Sequence, residues 1–497
     1  MSEIKGHARV IIENVQPQVD CGHYPAKFTT GEFVRITADI FGDGHDHLRA
    51  QVLFKHEKNE SWSTLELKHQ SNDNWAASFQ VTEKGFYQFT IRAWVDHFET
   101  WYDGFKKKAE AALDLQVELM EGAAFLKKIG RGDPYFQSLS DALSDTHNYR
   151  NAIDKVLSPA FEKIVHEHPL IGHETAYEKE LKLVVEFKKA NFSAWYELFP
   201  RSASLDGKHG TFNDVTRLLP RISAMGFDVL YLPPIHPIGK INRKGKNNSV
   251  RAEPGEPGSP WAIGSDEGGH KSIHPELGSL GDFKKLIAEA RKLNIDIALD
   301  IAFQCAPDHP YVKEHPQWFR QRPDGSIQYA ENPPKKYQDI YPFNFESEDW
   351  KNLWEELRSV FEYWIEQGVK LFRVDNPHTK PIRFWQWIIA EIGKKHEDII
   401  FLSEAFTRPK IMASLAKVGF TQSYTYFTWR VTKEEIVEYM NELVYGPSRH
   451  YFRPNFWPNT PDILPFHLQH QGENIFIIRL ALAMTLSSSY GVYGPPY

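Results

Sequence analysis

Cysteine is nearly absent. Cys21 and Cys305 are the only two among 497 residues, too few for a disulfide framework, so a reducing, cytoplasmic setting is expected. Long apolar runs are missing too. The longest, residues 475–486, is interrupted by Arg479 and is too short to span a bilayer. The opening MSEIKGHARV has no apolar signal region, so no membrane partner is expected. There is no basic excess: Lys and Arg number 58 against 65 Asp and Glu, a net charge of −7, and no strongly basic stretch stands out. Nucleic acid is therefore not an expected partner. No Gly-x-Gly-x-x-Gly or Walker-type loop opens a strand–helix unit, which weakens a nucleotide-binding reading. His270, His274, His309 and His315 fall in loops after strands, where metal ligands often sit. No His-Glu-x-x-His or paired-cysteine spacing accompanies them, so neither a metal nor a cofactor is expected. Internal repeats and low-complexity tracts are also missing.

What remains is an ordinary globular balance, 25% charged and 41% hydrophobic, on a chain too long for one core. Aromatic residues make up 14%, with 14 Trp. Flat rings suit cores and sugar faces alike, and composition alone favours the core.

Residues 1–105 show short β-branched and aromatic stretches separated by Gly, Asn and Asp turns, the pattern of a β-sandwich. Residues 106–186 have helix-like apolar spacing over 106–128, 142–164 and 174–187, with breaks at Asp133-Pro134 and His168-Pro169. This predicts a helical segment, a candidate for dimerisation. From residue 187, strands alternate with helices: strands at 193–199, 228–232, 296–301, 369–374 and 399–402, helices at 212–225, 283–293, 350–367, 382–392, 432–443 and 473–486. Seven or eight such units favour an α/β chain with a (β/α)8 TIM barrel over an open sheet. The barrel carries insertions at about 233–281 and 303–349.

Residues at the C-terminal ends of parallel barrel strands converge on one face. Three strands finish in an acid: Asp300, Asp375 and Glu404. A fourth acid, Asp462, follows Asn459-Thr460-Pro461. One such acid is as well explained by capping of the next helix. Several in one barrel, with Arg373 two residues before Asp375 and so on the same side of its strand, favour catalysis. A cation there keeps Asp375 charged, as a nucleophile requires. The apolar approach Phe401-Leu402 would keep Glu404 protonated, as a general acid requires. Paired carboxylates of this kind suit glycosyl transfer. Arg243–Ser249 is rich in donors and could cradle an anion, although a solvated basic loop would look the same. Trp354, Trp364, Trp385 and Trp387 fall on helices and read as outer-barrel core. Trp195, Trp261 and Trp318 are the better sugar-stacking candidates.

The segments FRVDNP (372–377), FLSEAF (401–406), ALDIAF (298–303) and NTPDI (459–463) resemble the short sequence regions of the α-amylase superfamily. NFSAWYELFPRS (191–202), VLYLPPIHPIGKINRKGKNNS (229–249), DIAFQCAPDHPYVKEHPQWF (300–319) and ENPPKKYQDIYP (331–342) resemble the GlgE-type maltosyltransferases within it. The resemblance implies Asp375 as nucleophile, Glu404 as general acid/base and Asp462 as the third acid that orients sugar hydroxyls. It implies Arg373 and Asn376 around the nucleophile, Asp300 as a structural acid, and Gln304 as a substrate contact. Lys244, Asn332, Lys335 and Tyr337 are implied as contacts to a maltose phosphate. Ordinary amylases usually carry Asn-His where this chain has Gln304-Cys305.

The implied activity is retaining transfer of maltosyl from α-maltose 1-phosphate to an α-1,4-glucan, in a cytoplasmic homodimer. An α-amylase-type hydrolase and a non-catalytic glucan-binding relative are the alternatives. Members of the family continue into a C-terminal β-sandwich. This chain stops at Tyr490–Tyr497, about where an eighth strand should end, so that sandwich is expected to be missing and the barrel to close poorly.

Overall fold

The computed structural model describes residues 6–495. The chain divides into two compact units that meet between Val185 and Glu186.

The first unit is rich in β-structure. Strand Phe33–Gly42 pairs antiparallel with Val10–Gln16 on one side and Asn74–Gln80 on the other. Leu48–His56 lies between Ser63–Ser71 and Gly85–Val95. Val34, Ile36, Ala38 and Ile40 are all buried, the period-two alternation of a strand with one face on a core. Helices follow from His97–Glu110 to Pro159–Glu167, packed around Phe98, Trp101, Phe105 and Phe161. Asp133 caps Pro134–Ser144 at the first expected break, and Pro159–Glu167 ends just before the second, at His168-Pro169, but the single helix expected over 142–164 is divided, because Ser158 caps a new start at Pro159. The expected helix over 174–187 is a correction. Its core is strand Leu181–Glu186, paired antiparallel with Gly85–Phe89. Buried Leu181, Leu183 and Val185 recur every second residue, a β period that was read as helical.

The second unit is an eight-stranded parallel barrel. Its strands are β1 (Ser193–Glu197), β2 (Val229–Leu232), β3 (Asp296–Ile301), β4 (Leu371–Val374), β5 (Ile400–Ser403), β6 (Gln422–Ser423), β7 (Asn455–Phe456) and β8 (Ser489–Tyr493). A helix lies in each of the seven gaps: α1 (Phe212–Ala224), α2 (Leu280–Lys292), α3 (Trp350–Glu366), α4 (Ile382–Lys395), α5 (Pro409–Lys417), α6 (Lys433–Tyr445) and α7 (Glu473–Leu486). Three of these helices start at reciprocal capping boxes, Thr211 with Asp214, Ser279 with Asp282 and Thr432 with Glu435. Each box stops a loop and starts a helix by local hydrogen bonding alone. β6, β7 and α5 were not foreseen. Two-residue strands carry too little pattern to be read.

The barrel closes, against expectation. β8 pairs with β1 over five residues, from Ser193 opposite Ser489 to Glu197 opposite Tyr493. It also pairs with β7, and a bridge from Ser423 to Pro454 joins β6 to the start of β7. Trp195, Tyr231, Ala298, Leu371, Leu402, Tyr424 and Trp457 fill the interior. Trp457 stacks on Tyr424 with ring centroids 5.1 Å apart. Gly491 on β8 gives the Trp457 indole its space, since a Cβ there would lie 2.2 Å from the ring. Among the described residues, no helix is long and apolar enough to cross a membrane.

Candidate active site

The strand-end acids meet around one guanidinium. Arg373 on β4 is buried, and its Nη1 donates to Asp300 Oδ2 at 2.8 Å and Asp375 Oδ1 at 2.9 Å. Its Nη2 lies 3.4 Å from Glu404 Oε1. The backbone turn after β4 adds to this grouping. Asn376 adopts a left-handed conformation, φ 41°, which Asn tolerates better than most residues. In that conformation its amide N–H donates to Glu404 Oε2 at 3.0 Å and its side-chain amide to Asp375 Oδ1 at 3.4 Å. Lys380 is buried beneath the turn, and its ammonium donates to the carbonyls of Asp375 and Asn376 at 3.4 and 3.3 Å. Asp300 Oδ2 also accepts from the Tyr231 hydroxyl and, at 3.3 Å, from Trp261 Nε1.

These surroundings separate the acids. Burial pushes the Glu404 carboxyl up to about 7, with Arg373 pulling it down and Asp375 adding to the rise. Asp300 is driven in the same direction by the same cause. Between these two, the proton belongs on Glu404. Asp300 accepts three hydrogen bonds on one oxygen, including the shorter Arg373 contact, and each stabilises its charged form. Glu404 has one amide and the longer Arg373 contact.

Asp462 stands at the rim in a turn closed by Thr460 and Ile463, with Pro461 before it. It is exposed on its outer side, yet its carboxyl is raised by the burial of its inner side, against the pull of Arg373 and with the push of Asp375. No hydrogen bond joins Asp462 to the Arg373 cluster among the described residues. The structure thus brings Asp375, Glu404, Arg373, Asn376 and Asp300 into one bonded group and sets Asp462 beside it.

The other site residues form an outer set. Ala330–Asn332 and Lys335–Tyr337 make a hairpin with Asn332 opposite Lys335. Asn332 and Lys335 are exposed and Tyr337 is half-buried. Lys244 is buried and donates to the Lys336 carbonyl at 3.4 Å, which sets the donor-rich loop against this hairpin. Gln304 donates to the Trp261 carbonyl at 3.1 Å, which links it to the cluster through Trp261. Among the described residues, no hydrogen bond or ion pair ties Lys244, Asn332, Lys335 or Tyr337 to the acids.

The family model for the N/S domain of α-1,4-glucan:maltose-1-phosphate maltosyltransferase matches residues 8–186. The α-amylase catalytic-domain model matches 185–370, a stretch that ends before Asp375 and Glu404. A protein named α-1,4-glucan:maltose-1-phosphate maltosyltransferase from Methylacidiphilum infernorum is 51% identical over 99% of this chain and 75% of its own length. One of the same name from Chlorobaculum tepidum is 52% identical over 99% and 74%. The chain belongs to the α-1,4-glucan:maltose-1-phosphate maltosyltransferase family. Among solved structures, an α-amylase from Lactobacillus plantarum is 24% identical over 61% of this chain and 70% of its own, with a TM-score of 0.49.

Two sugar-stacking expectations fail in this family member. Trp195 is fully buried as a floor of the barrel interior. Trp318 is buried under His315, with ring centroids 3.9 Å apart. Trp261 stays half-exposed at the cluster. Trp364 and Trp385 are buried in the outer layer, as read.

The histidines near the site are committed to one another. The Tyr311 amide donates to His309 Nδ1 at 2.9 Å, so His309 Nε2 carries the proton and donates to His270 Nδ1 at 3.0 Å. His270 Nε2 then donates to the Ala302 carbonyl at 3.0 Å. Burial lowers both rings, His270 to about 4 and His309 to about 2, so both stay neutral. Every lone pair that could face a metal beside Cys305 is already used. His274 Nδ1 likewise accepts from the Glu276 amide and caps a turn. The buried Nδ1 of His378, three residues beyond Asp375, has no hydrogen-bond partner among the described residues.

Sequence reasoning missed Tyr231, Lys380 and Glu197. The signal for Glu197 was present, since it too ends a barrel strand, but it is followed by Leu198-Phe199 rather than by a break.

Proposed function

We propose that the chain transfers a maltosyl unit from α-maltose 1-phosphate to the non-reducing end of an α-1,4-glucan, with retention and release of phosphate. The observation that carries this is the Arg373 fork. Carboxylates held by neighbouring nitrogens of one guanidinium stand close together. A nucleophile and an acid gathered on one cation are the pair that a double displacement with retention requires.

In the first step an Asp375 oxygen attacks the anomeric carbon, the carbon–oxygen bond to phosphate breaks, and Glu404 gives its proton to the departing phosphate. In the second, Glu404 takes the proton of a glucan hydroxyl as that oxygen attacks the same carbon and Asp375 leaves. Two inversions give net retention. The leaving phosphate carries nearly two charges, and fixed cations lower the cost of its departure. Lys244 and Lys335, with Asn332 and Tyr337 on the same hairpin, are the groups proposed to hold it. Asp462 and Gln304 are proposed to orient sugar hydroxyls. A cytoplasmic homodimer belongs to the same reading: the unpaired thiols of Cys21 and Cys305 suit a reducing compartment, and the dimer is what the family resemblance implies.

The test is incubation with maltose 1-phosphate and glycogen. Stoichiometric phosphate and elongated glucan are expected; free maltose as the sole product would make the protein a hydrolase. Asp375→Ala should abolish turnover, and undiminished activity would remove Asp375 as nucleophile.

A further inference from the structure

Glu197 is the last residue of β1, two residues beyond Trp195 and therefore on the same inward face. Its register partners are Tyr231 on β2 and Tyr493 on β8. It is 2% exposed, and its Oε2 has no hydrogen-bond partner among the described residues.

Among the described residues no cation is bonded to it. The terminal nitrogens of Arg373 are given to Asp300, Asp375 and Glu404, and the Lys380 ammonium goes to two backbone carbonyls. An ionised Glu197 would be a buried charge with no hydrogen-bonded counter-ion, an arrangement proteins avoid by taking up a proton. The groups that face it from the other elements lead to the same conclusion. Asp300, Glu404 and Asp462 repel a charge there and Arg373 attracts one, while Tyr231, Tyr424 and Tyr493 are neutral phenols pushed up in part by Glu197 itself. Burial is the largest influence and drives the Glu197 carboxyl well above the ordinary range.

We propose that Glu197 is a positioning residue that works as a neutral, proton-bearing carboxyl in the floor of the site. Its hydroxyl stays available as a donor, and it fills the position beside Tyr231 without adding negative charge. The consequence is electrostatic. With Glu404 protonated, the charges of Asp300 and Asp375 are matched by those of Arg373 and Lys380, so the inner site is close to neutral. A further carboxylate there would oppose the entry of a doubly charged phosphate donor and compete with Glu404 for its proton. This role rests on the proposed transfer reaction for its purpose, but not for its protonation state.

Two measurements test it. In infrared difference spectra of the full chain at neutral pH, wild type minus Glu197→Gln should show the carbonyl stretch of a protonated carboxyl. A carboxylate band in its place would overturn the proposal whatever the enzyme does. In the phosphate-release assay, Glu197→Gln should stay within about threefold of wild-type kcat and keep the same basic limb of the pH profile. Glu197→Ala should lose tenfold or more, so that rescue by Gln separates positioning from charge. A folded Glu197→Gln that loses a hundredfold, or a basic limb lowered by about one unit or more, would show that the ionised form matters. An active Glu197→Ala would remove the positioning role. Absence of phosphate release from wild type, with the protonated-carboxyl band present, would refute the transfer reaction and leave the protonation state standing.

Discussion

Replacing Arg373 by Met keeps much of the side-chain volume and removes the one guanidinium that three carboxylates share. Taking one partner from a buried ion pair costs about 3–5 kcal/mol, a fall in Tm on the order of 10 °C for a unit of this size. The protonation states shift as well. Charges about 4 Å apart at an effective dielectric of about 20 interact by roughly 4 kcal/mol, close to three pK units. Arg373 is the group that pulls Glu404 and Asp300 down towards about 7, so without it burial drives both higher. A carboxyl raised in the folded state contributes its stability below the unfolded value and loses it as pH climbs through the folded value. In wild type that loss runs from the unfolded value up to about 7 and is complete there. In Arg373→Met the folded protein keeps those protons to higher pH while the unfolded chain does not, so its stability goes on falling. The stability deficit of the variant should therefore widen above about pH 7. Thermal unfolding at pH 6 and pH 9 reads this directly, and the basic limb of any residual phosphate release should move up by about two units or more. Equal deficits at both pH values with an unmoved limb would refute Arg373 as the group that sets the protonation of the site.

In the unmodified chain the first half-reaction needs Glu404 protonated, so phosphate release should fall as pH rises through about 7, and Glu404→Gln should abolish that limb along with most of the rate. Lys335→Ala, at an exposed position, should raise KM for the sugar phosphate roughly tenfold or more, the loss of one charge-assisted hydrogen bond, with Tm unchanged. A donor with a neutral leaving group should be affected far less, and equal effects on both donors would place Lys335 away from the phosphate. Gly491→Ala should cost about 1–3 kcal/mol by driving a methyl into the Trp457 indole. An unchanged melting curve would mean that the ring moves aside freely.

The local elements were open to reading because their causes are local. β3 was bounded correctly by its apolar run, α7 by its spacing, and α1, α2 and α6 begin at capping boxes whose members are three residues apart. The pairing of Arg373 with Asp375 was also legible, because two residues along a strand share a face whatever the rest of the chain does. The family resemblance supplied the roles of the remaining acids.

Other features depended on distance in sequence. β6 and β7 are two residues long and exist because neighbouring strands accept their hydrogen bonds. Trp195 and Trp318 looked like platforms because nothing in their immediate sequence says they are covered. Glu197 looked like an ordinary strand residue, and it lies 103 positions before Asp300, the nearest in sequence of the three acids gathered on Arg373, which it faces only after the barrel has closed. The sequence by itself determined which residue types were available and which face of each strand they share, since backbone alternation and capping act over a few residues. Only the tertiary structure decided which acid keeps a proton, because that depends on how many carboxylates converge on one guanidinium and how much water the closed barrel removes from them.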